Sequence, residues 1–500
     1  MRKTMKKEKT QVFLLSFLLV LAAFAVMLAD RFSTDGYSDY YMQLDNTNAL
    51  WKLQLGRPSG AAAEVLLHWL GINTVSVQLP FTLAFMAVIA WACADLWSMV
   101  ISTFQNPSRA DKAMTLLFIL AAFVNVSFGE MFFFSNVAIH WIGMLVFCQL
   151  ALRSLFAGNR MANTVRSFCL LCVSLGFYQA AIGYFVLWGL LLAALQSDLR
   201  ADKKTLVRLL RVLIIGASAS VFAIVLQRAL ESGGLIPGTA RSPSLQVLFR
   251  NLLYLLTYGQ WQVLVDGMHF LGPAMGVVAG LLSTALVVSC IRAKRHPGIV
   301  WLAILLAVVG YGICFAPHLL SATIWMAPRT LFPVFSYLSV CGVWIVFLFS
   351  GQKKQGLPVV SAVVMGVFLL VNAKGIYTIG LEQIRSNAAD ACEAREILEH
   401  VYSYERESGR FVTTVGTVPD SAICYSHPEA PNVYMDINVR SGAVDWEVAP
   451  LLSYYSGRRF QSTEVPAEIR ETYFAGKEWD CLDIEEQVIL IRDTLYLGVY

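Results

Sequence analysis

Charged residues are scarce in this chain of 500 residues, and their scarcity indicates its class. Only 14% of the residues are Asp, Glu, Lys or Arg, whereas 57% are hydrophobic. Soluble proteins contain about 25% charged residues. Long apolar runs recur from residue 11 to about residue 372, and many are long enough to cross a hydrocarbon layer of about 30 Å. The composition excludes a set of ordinary soluble domains and predicts a polytopic membrane protein.

The chain also lacks the patterns of several other classes. Its ten cysteines and seven histidines are not spaced as the ligand set of a metal site, so no cofactor is predicted and a metal requirement stays open. No internal repeat is evident, although many transporters are built from repeats. No nucleic-acid partner is predicted. These gaps direct attention to the acidic and basic residues between the apolar runs.

Negative charge is concentrated towards the C-terminal end. From residue 374 onward the chain has 21 acidic and 11 basic residues, although the net charge of the whole chain is +4. The N-terminus is basic, and the apolar run after it ends without a small-residue cleavage site, which predicts an uncleaved first span with a cytoplasmic N-terminus. A basic membrane part and an acidic tail place the tail on the opposite, extracytoplasmic side.

Basic clusters near residues 109–112, 153–166, 200–211, 292–295 and 353–354 predict the topology. If all of them are cytoplasmic, each stretch between them crosses the membrane an even number of times. Together with single spans at 11–29, 79–101 and 357–372, this predicts about eleven transmembrane helices and an extracytoplasmic tail. The stretch 167–195 is short for two spans, so either two short helices meet near Tyr178 and Gln179 or the segment is re-entrant.

The sequence therefore predicts a mainly α fold with two parts. Residues 1–372 form the transmembrane domain, in which residues 30–78 are a long first extracytoplasmic loop with a juxtamembrane helix. Residues 373–500 form a small extracytoplasmic α+β domain, because an amphipathic helical pattern is followed by short β-branched runs and turns. A Cys424–Cys481 bridge is one option for this domain, and a third tail cysteine leaves the pairing open.

The first loop carries the residues that suggest chemistry. Asp35, Asp39 and Asp45 follow the first span closely, and a carboxylate beside the membrane can act as a general base on an acceptor hydroxyl. Arg57 and Arg329 are candidates to bind a donor phosphate with forked donors. The alternative is that the aspartates are solvated loop residues and helix caps.

Other candidates lie further along the chain. Glu130 is predicted at the end of the third span, where an acid is costly to bury and is a functional candidate by default. Arg241 is a weaker candidate of the same kind as Arg329. Tyr178 and Gln179 are candidates to line a lipid or sugar cavity.

The order of these motifs resembles that of the Gtr-type, serotype-converting O-antigen glucosyltransferases, polytopic membrane enzymes of the GT-C superfamily. The resemblance covers about residues 12–372. It departs from the family pattern in one respect, because Asp35 and Asp39 are single acids rather than an adjacent pair followed by arginine. The motifs that carry it are Asp39, Trp51, Gly56-Arg57, the run "FFFSN", Tyr178-Gln179 and Pro328-Arg329.

The resemblance implies a glycosyltransferase of the bacterial cytoplasmic (inner) membrane. Its expected reaction transfers a hexosyl unit, as glucosyl, from a polyprenyl-phosphate donor to lipopolysaccharide O-antigen or another cell-surface glycan on the outer face. Asp39 is the expected base, with Asp35 and Glu130 as alternatives, and no tightly held metal is implied. Membrane lipids are expected partners, and the oligomeric state is left open. The rival interpretations are a lipid-linked glycan flippase or transporter and an O-antigen-type polymerase.

Overall fold

The structure is a computed structural model that describes residues 2–29, 31–158, 160–200, 202–237, 245–292, 298–319, 321, 324–352, 355–419 and 425–499. Arg241 and Cys424 lie outside the described residues. The predicted phosphate contact of Arg241 and the Cys424–Cys481 bridge therefore stay predictions.

One apolar helix and three short helices form the N-terminal part. The apolar helix α1 (Arg2–Ala23) continues into a 3₁₀ turn (Ala25–Leu28), and the short helices α2 (Gly36–Leu44), α3 (Asn48–Gln54) and α4 (Pro58–Trp69) follow. Proline at the first position of α4 suits a helix start, because its φ is already helical and its missing N–H needs no partner there. The three helices make the first loop a folded structure.

Among the described residues between 78 and 408, fifteen further helices follow. They are α5 (Gln78–Ile101), α6 (Arg109–Ala121), α7 (Val126–Phe133), α8 (Ala138–Phe156), α9 (Met161–Leu175), α10 (Ala181–Leu195), α11 (Lys203–Ser232), α12 (Leu245–Leu256), α13 (Tyr258–Leu264), α14 (Ala274–Arg292), α15 (Gly298–Leu305), α16 (Tyr311–Ile313), α17 (Ala316–Leu319), α18 (Phe332–Phe349) and α19 (Gly356–Ser408). Short 3₁₀ turns lie at Ser135–Val137 and Pro328–Thr330, and a π-helical turn at Leu306–Gly310 joins α15 to α16.

Among the described residues, six helices are long and apolar enough to cross a membrane: Gln78–Ile101, Ser135–Phe156, Lys203–Ser232, Ala274–Arg292, Phe332–Phe349 and Gly356–Ser408. α6 and α7 together form a seventh candidate, bent by 48°. The chain is thus a helical protein with several candidate membrane spans. The remaining four of the eleven predicted crossings would fall on α1, whose first half is basic, and on the shorter apolar helices α9, α10 and α15–α16, so the count of eleven stays a prediction.

The helices surround α18, which is buried along its whole length and packs against α6, α10, α14 and α19. Close packing requires small residues on this helix. A Cβ on Gly342 would lie 2.0 Å from the Phe118 ring, so only glycine fits there. In α11 and α19, only 28% of the most apolar part of each helix is buried inside the protein, as expected for helices that face lipid.

Contacts between the N-terminal helix and two of the basic clusters place these segments at one end of the bundle. Lys112 pairs with Glu8 at 2.8 Å, and Asp95 pairs with Lys9 and, at 3.5 Å, with Arg153. These groups come from α1, the end of α5, the start of α6 and the end of α8. The opposite end of the bundle carries the first loop.

The predicted boundary at residues 372 and 373 falls within α19, which runs without a break from Gly356 to Ser408. Asn372 and Gly375 are both helical and buried, so polarity rises there while the helix continues. The predicted amphipathic face of the tail helix is confirmed, since Ala394, Ile397, Leu398 and Val401 lie in a second hydrophobic core.

The C-terminal part also contains a four-stranded sheet, as the β-branched runs predicted. β1 (Thr414–Pro419), β2 (Gln461–Ser462), β3 (Val488–Ile491) and β4 (Thr494–Val499) lie in the order β2-β1-β4-β3. β1 is parallel to β2 and β4, and β3 pairs antiparallel with β4. Three short helices complete it: α20 (Asp445–Ser456), α21 (Ala467–Ile469) and α22 (Ile484–Gln487), with turns at Ser441–Ala443 and Arg470–Phe474.

Candidate functional site

The first loop folds against the C-terminal part, and this contact orients α2. The buried carboxylate of Glu447 on α20 accepts hydrogen bonds from the backbone N–H groups of Tyr37 (3.1 Å) and Ser38 (3.2 Å). These are unpaired donors of the first turn of α2, which a negative group stabilises. The rings of Phe32 and Tyr37 stack with their centroids 4.1 Å apart, and both residues pack in the second hydrophobic core. The C-terminal part therefore positions the helix that bears Asp39.

α2 turns Asp39 inward. Its side chain and that of Gln43, one turn later, are both buried, whereas Asp45 at the end of the helix is exposed and pairs with Arg459 at 2.6 Å. Gln43 is held by Thr74, which accepts from its amide at 2.7 Å and donates its N–H at 2.8 Å. Asp39 is therefore not a solvated loop residue.

The Asp39 carboxylate is 5% exposed and has two partners. It accepts a hydrogen bond from the Asn136 amide, and the Lys52 ammonium lies 4.0 Å away. Burial raises the pKa of Asp39 to about 6, because the charged form loses water; Lys52 opposes this rise, and Asp35 and Glu64 add to it. A carboxylate of this kind is ionised at neutral pH yet basic enough to take a proton.

Asp35 lies at the start of α2, between the loop and the C-terminal part. Its carboxylate accepts a hydrogen bond from the indole N–H of Trp446 at 3.2 Å. Burial and the charge of Asp436 raise the pKa of Asp35. Asp35 is half-buried, and its partner belongs to α20.

A buried pair of Glu64 and His140 lies beside Asp39. Glu64 on α4 is 4% exposed, and its Oε1 lies 2.9 Å from His140 Nε2 on α8. α4 can approach α8 because residue 60 is glycine, whose Cβ would lie 2.3 Å from the His140 ring. The exposed side of α4 carries Val65, Leu66 and Trp69, so this helix has an apolar face that points away from the protein.

The Gly56-Arg57 motif contacts the Tyr178-Gln179 motif, a contact that the sequence had not predicted. The Gln179 amide donates to the carbonyls of Leu55 (3.1 Å) and Gly56 (2.8 Å). Gly56 has φ of 71°, and a Cβ there would clash with Gln227. The Arg57 guanidinium lies over the Tyr178 ring, 4.9 Å from its centroid. Two short helices, α9 and α10, are joined at this tip, and the choice between two crossings and a re-entrant segment stays a prediction.

Arg329 is held by carboxylates. Its guanidinium and backbone N–H both bond Glu130, and its Nη2 lies 2.7 Å from Asp436 of the C-terminal part. It also lies over the Phe134 ring at 4.6 Å and interacts with the Tyr178 hydroxyl. These contacts explain an arginine before an apolar span.

Glu130 lies near the end of the bent candidate span that α6 and α7 form, in agreement with its predicted position at the end of the third span. Glu130 is a fully buried residue within α7, and the chain bends earlier, where Asn125 caps α7 by accepting from Ser127 and Phe128. A buried carboxylate must be paired, and Arg329 supplies the pairing charge. Glu130 therefore lies beneath the arginine and away from the loop surface.

Sequence reasoning missed Lys52, Asn136 and Asp436 as site residues, and it did not select Glu64 or His140. Lys52 and Glu64 had a signal, because each is an isolated charge among apolar residues. Asp436 had none, since its partner is 107 residues away. Among the described residues, no group of three His, Cys, Asp or Glu side chains could hold a metal ion.

No protein-family model, curated protein or solved structure matches this chain. Its functional interpretation therefore rests on its own residues: a buried, basic carboxylate with Lys52 and Arg57 nearby, at the loop end of an apolar helical bundle.

Proposed function

We propose that this protein is an integral membrane glycosyltransferase that moves a hexosyl unit, as glucosyl, from a polyprenyl-phosphate donor to a cell-surface glycan such as an O-antigen. The burial of Asp39 beside Lys52 and Asn136 carries the proposal. In the reaction, an acceptor hydroxyl oxygen bonds to the anomeric carbon as the bond from that carbon to the phosphate oxygen breaks. Asp39 takes the hydroxyl proton, and the phosphate leaves with the electron pair.

The nearby cations support a donor that carries phosphate. Lys52 is 3% exposed and faces Asp39 at 4.0 Å, and Arg57 lies over Tyr178 at the adjoining tip. A cation close to the leaving oxygen stabilises the charge that develops there. Arg57 is assigned to the phosphate, whereas Arg329, already bound by two carboxylates, holds the C-terminal part against α7.

The position of the cluster supports a donor anchored in lipid. Its residues come from the loop after α1, the start of α8 and the tip between α9 and α10, so they share one end of the apolar bundle. A polyprenyl chain in the bilayer would then present its phosphate at the depth of this cluster. On the predicted topology, this end faces outside the bacterial cytoplasmic membrane.

Sugar transfer in membrane vesicles tests the proposal, with labelled polyprenyl-phosphate glucose and the native glycan acceptor. Asp39→Asn keeps the size and hydrogen bonding of the side chain but removes the base, so we expect a loss of about 10²–10⁴-fold in rate. Asp45→Asn is the matched control, because Asp45 is exposed and pairs only at the surface; it should transfer at the wild-type rate.

Three outcomes would contradict the proposal at different levels. Equal transfer by wild type and Asp39→Asn would leave the enzyme class standing and reject Asp39 as the base. Absence of transfer, with labelled lipid crossing the bilayer faster than in empty vesicles, would favour the transporter interpretation. Extension of the acceptor by many units would favour the polymerase.

A further inference from the structure

The helices α12 and α13, which lie between the candidate spans α11 and α14, are at the loop end of the bundle. Near the C-terminal end of α11, the Gln227 amide donates to the carbonyl of Gln54 on α3 at 3.3 Å. After α13, the ring of His269 stacks on that of Tyr434 in the C-terminal part, with the centroids 5.6 Å apart. The two helices therefore lie where the bundle meets the first loop and the C-terminal part.

Polar contacts fix which side of these two helices faces the protein. The Asn251 amide on α12 donates to three carbonyls in and just after α17, and the shortest of these bonds is 2.7 Å, to Ser321. On α13, the side-chain oxygen of Gln260 accepts from the Tyr311 hydroxyl at 2.7 Å, and α13 packs against α14. The opposite side of both helices therefore points away from the protein.

The side that points away is apolar, and we call it the outward face. α12 and α13 bury Leu255 and Val263 on their inward side and still expose six large apolar side chains, each by 42% to 64%. A helix that is apolar on every side is either surrounded by protein or in contact with lipid. The outward face is exposed, so lipid is the medium that suits it. Its members are Phe249, Leu252, Leu253, Leu256, Trp261 and Val265.

The length and composition of the two helices indicate how they meet the lipid. α12 has 12 residues and α13 has 7, which at 1.5 Å per residue is about 18 Å and about 10 Å, against about 30 Å for the hydrocarbon core. Arg250 is their single charged residue, and the rings of Tyr258 and Trp261 stack 5.9 Å apart. Trp, Tyr and basic residues favour the level of the lipid headgroups. Helices of this kind lie along the membrane surface and do not cross it.

We propose that α12 and α13 lie in the plane of the bilayer surface at the loop end, with the outward face inserted among the headgroups and upper acyl chains of phospholipids. The neighbouring candidate span α14 also exposes Val277 and Leu281, so the outward face adjoins a surface that lipid covers. This anchorage is independent of the reaction that the protein catalyses. It brings the contact between His269 and Tyr434 to the membrane surface and so fixes the height of the C-terminal part.

Hydroxyl-radical footprinting of the wild-type protein in phospholipid nanodiscs tests the proposal. The radicals oxidise side chains that touch water, and peptide mass spectrometry measures the rate at each residue. Trp446 on α20 is the matched reference, because it is 55% exposed and Trp261 is 50% exposed. We expect Trp261 to be oxidised about tenfold more slowly than Trp446, because an interfacial helix buries its apolar face about 5–10 Å into the headgroup and acyl boundary. Equal rates would overturn the proposal.

Photoreactive lipids in the same nanodiscs identify what covers the outward face. A phospholipid with a diazirine near the headgroup end of its acyl chain should label Trp261 and Leu256, and one with the diazirine at the methyl end should label them much less. Slow oxidation of Trp261 without a lipid label would mean that protein covers the face, as in a contact between two copies, and would reject the proposal. Equal labelling by both lipids would place the helices deep in the bilayer and contradict an in-plane position.

A charged variant gives an independent check. Leu253→Asp with Leu256→Asp places two carboxylates on the outward face, where both leucines are exposed, so the fold should persist while Trp261 becomes oxidised at a rate close to that of Trp446. Phe411→Asp is the control, because Phe411 is 72% exposed in the C-terminal part, and it should leave Trp261 protected. A lowered thermal midpoint of the double variant with Trp261 still protected would mean that the two leucines pack against protein, which would also overturn the proposal.

Discussion

The ionisation of Asp39 depends on Lys52, and this pair sets the pH range of the proposed reaction. Burial raises the pKa of Asp39 to about 6, and the ammonium of Lys52 limits the rise. A general base must be deprotonated to act, so kcat/KM should fall as pH drops through this value. The pH at which kcat/KM falls on the acid side (the acid limb of the pH profile) therefore reports the pKa of Asp39 in the presence of Lys52.

Replacing Lys52 should move that limb upward. Lys52→Gln removes the positive charge 4.0 Å from the carboxylate, so the protonated form of Asp39 is favoured and its pKa rises. We expect the acid limb of kcat/KM to shift from about pH 6 by about one unit or more, while Lys52→Arg, which keeps the charge, retains the limb. The pH dependence of vesicle transfer measures both. A limb unchanged in Lys52→Gln would show that Asp39 is not the titrating base.

The sequence alone could only partly distinguish which of the candidate acids is the base. The resemblance to the glucosyltransferases favoured Asp39, but Asp35, Asp39 and Asp45 have the same chemistry and differ only in what surrounds them. The structure separates them, because Asp39 is buried, Asp35 faces Trp446 and Asp45 lies at the surface. Burial of a loop residue depends on partners from distant segments, such as Asn136, so it could not be read from local sequence.

Among the helices, α2 contributes most to the proposed site, because it carries the base. Its first turn is bound by a residue of the C-terminal part. Glu447 bonds two N–H groups of its first turn, while Gln43 and Thr74 fix its far end. A helix of nine residues is marginal alone. Its orientation therefore depends on these tertiary contacts.

Glu447→Ala should weaken both folding and transfer. It leaves two backbone donors unpaired in a buried place, which costs about 1–3 kcal/mol, and it frees the end of α2 next to Asp39. We expect a lower thermal midpoint and a fall in kcat of tenfold or more in vesicle transfer. Glu464→Ala, at an exposed acid of the same part of the chain, should change neither. A lowered midpoint with full transfer would mean that the C-terminal part does not position the base.

Helix patterns were predicted better than helix boundaries and faces. The tip between α9 and α10 and the strands of the tail were visible in hydrophobic period and turn residues. The continuity of α19 was not, because a drop in hydropathy was taken as a boundary while the residues there still favour helix. The buried face of α4 was also missed, since Glu64 is buried by its bond to His140 and the apolar residues are left exposed.

For the whole molecule, the two ends of the bundle have different chemistry. One end gathers Lys9, Lys112 and Arg153, and the other gathers the first loop and the acidic C-terminal part. This arrangement agrees with the alternation inferred from charge, which needs every basic loop at the same end. Arg329 ties the C-terminal part to the bundle through Asp436 and Glu130, so the site forms from both parts.

On the predicted topology the loop end of the bundle faces outside, and this sidedness can be measured with an exposed cysteine of α19. Cys392 is exposed in the C-terminal half of α19, so a membrane-impermeant maleimide should label it in intact spheroplasts. Gln105→Cys, in the exposed turn between α5 and α6 at the basic end, should be labelled only after permeabilisation. Peptide mass spectrometry would assign both labels. The reverse pattern would place Asp39 in the cytoplasm, where nucleotide sugars are at hand and a lipid-linked donor would have no advantage. The expected pattern leaves a lipid-carried sugar as the donor that can reach the loop end of the bundle.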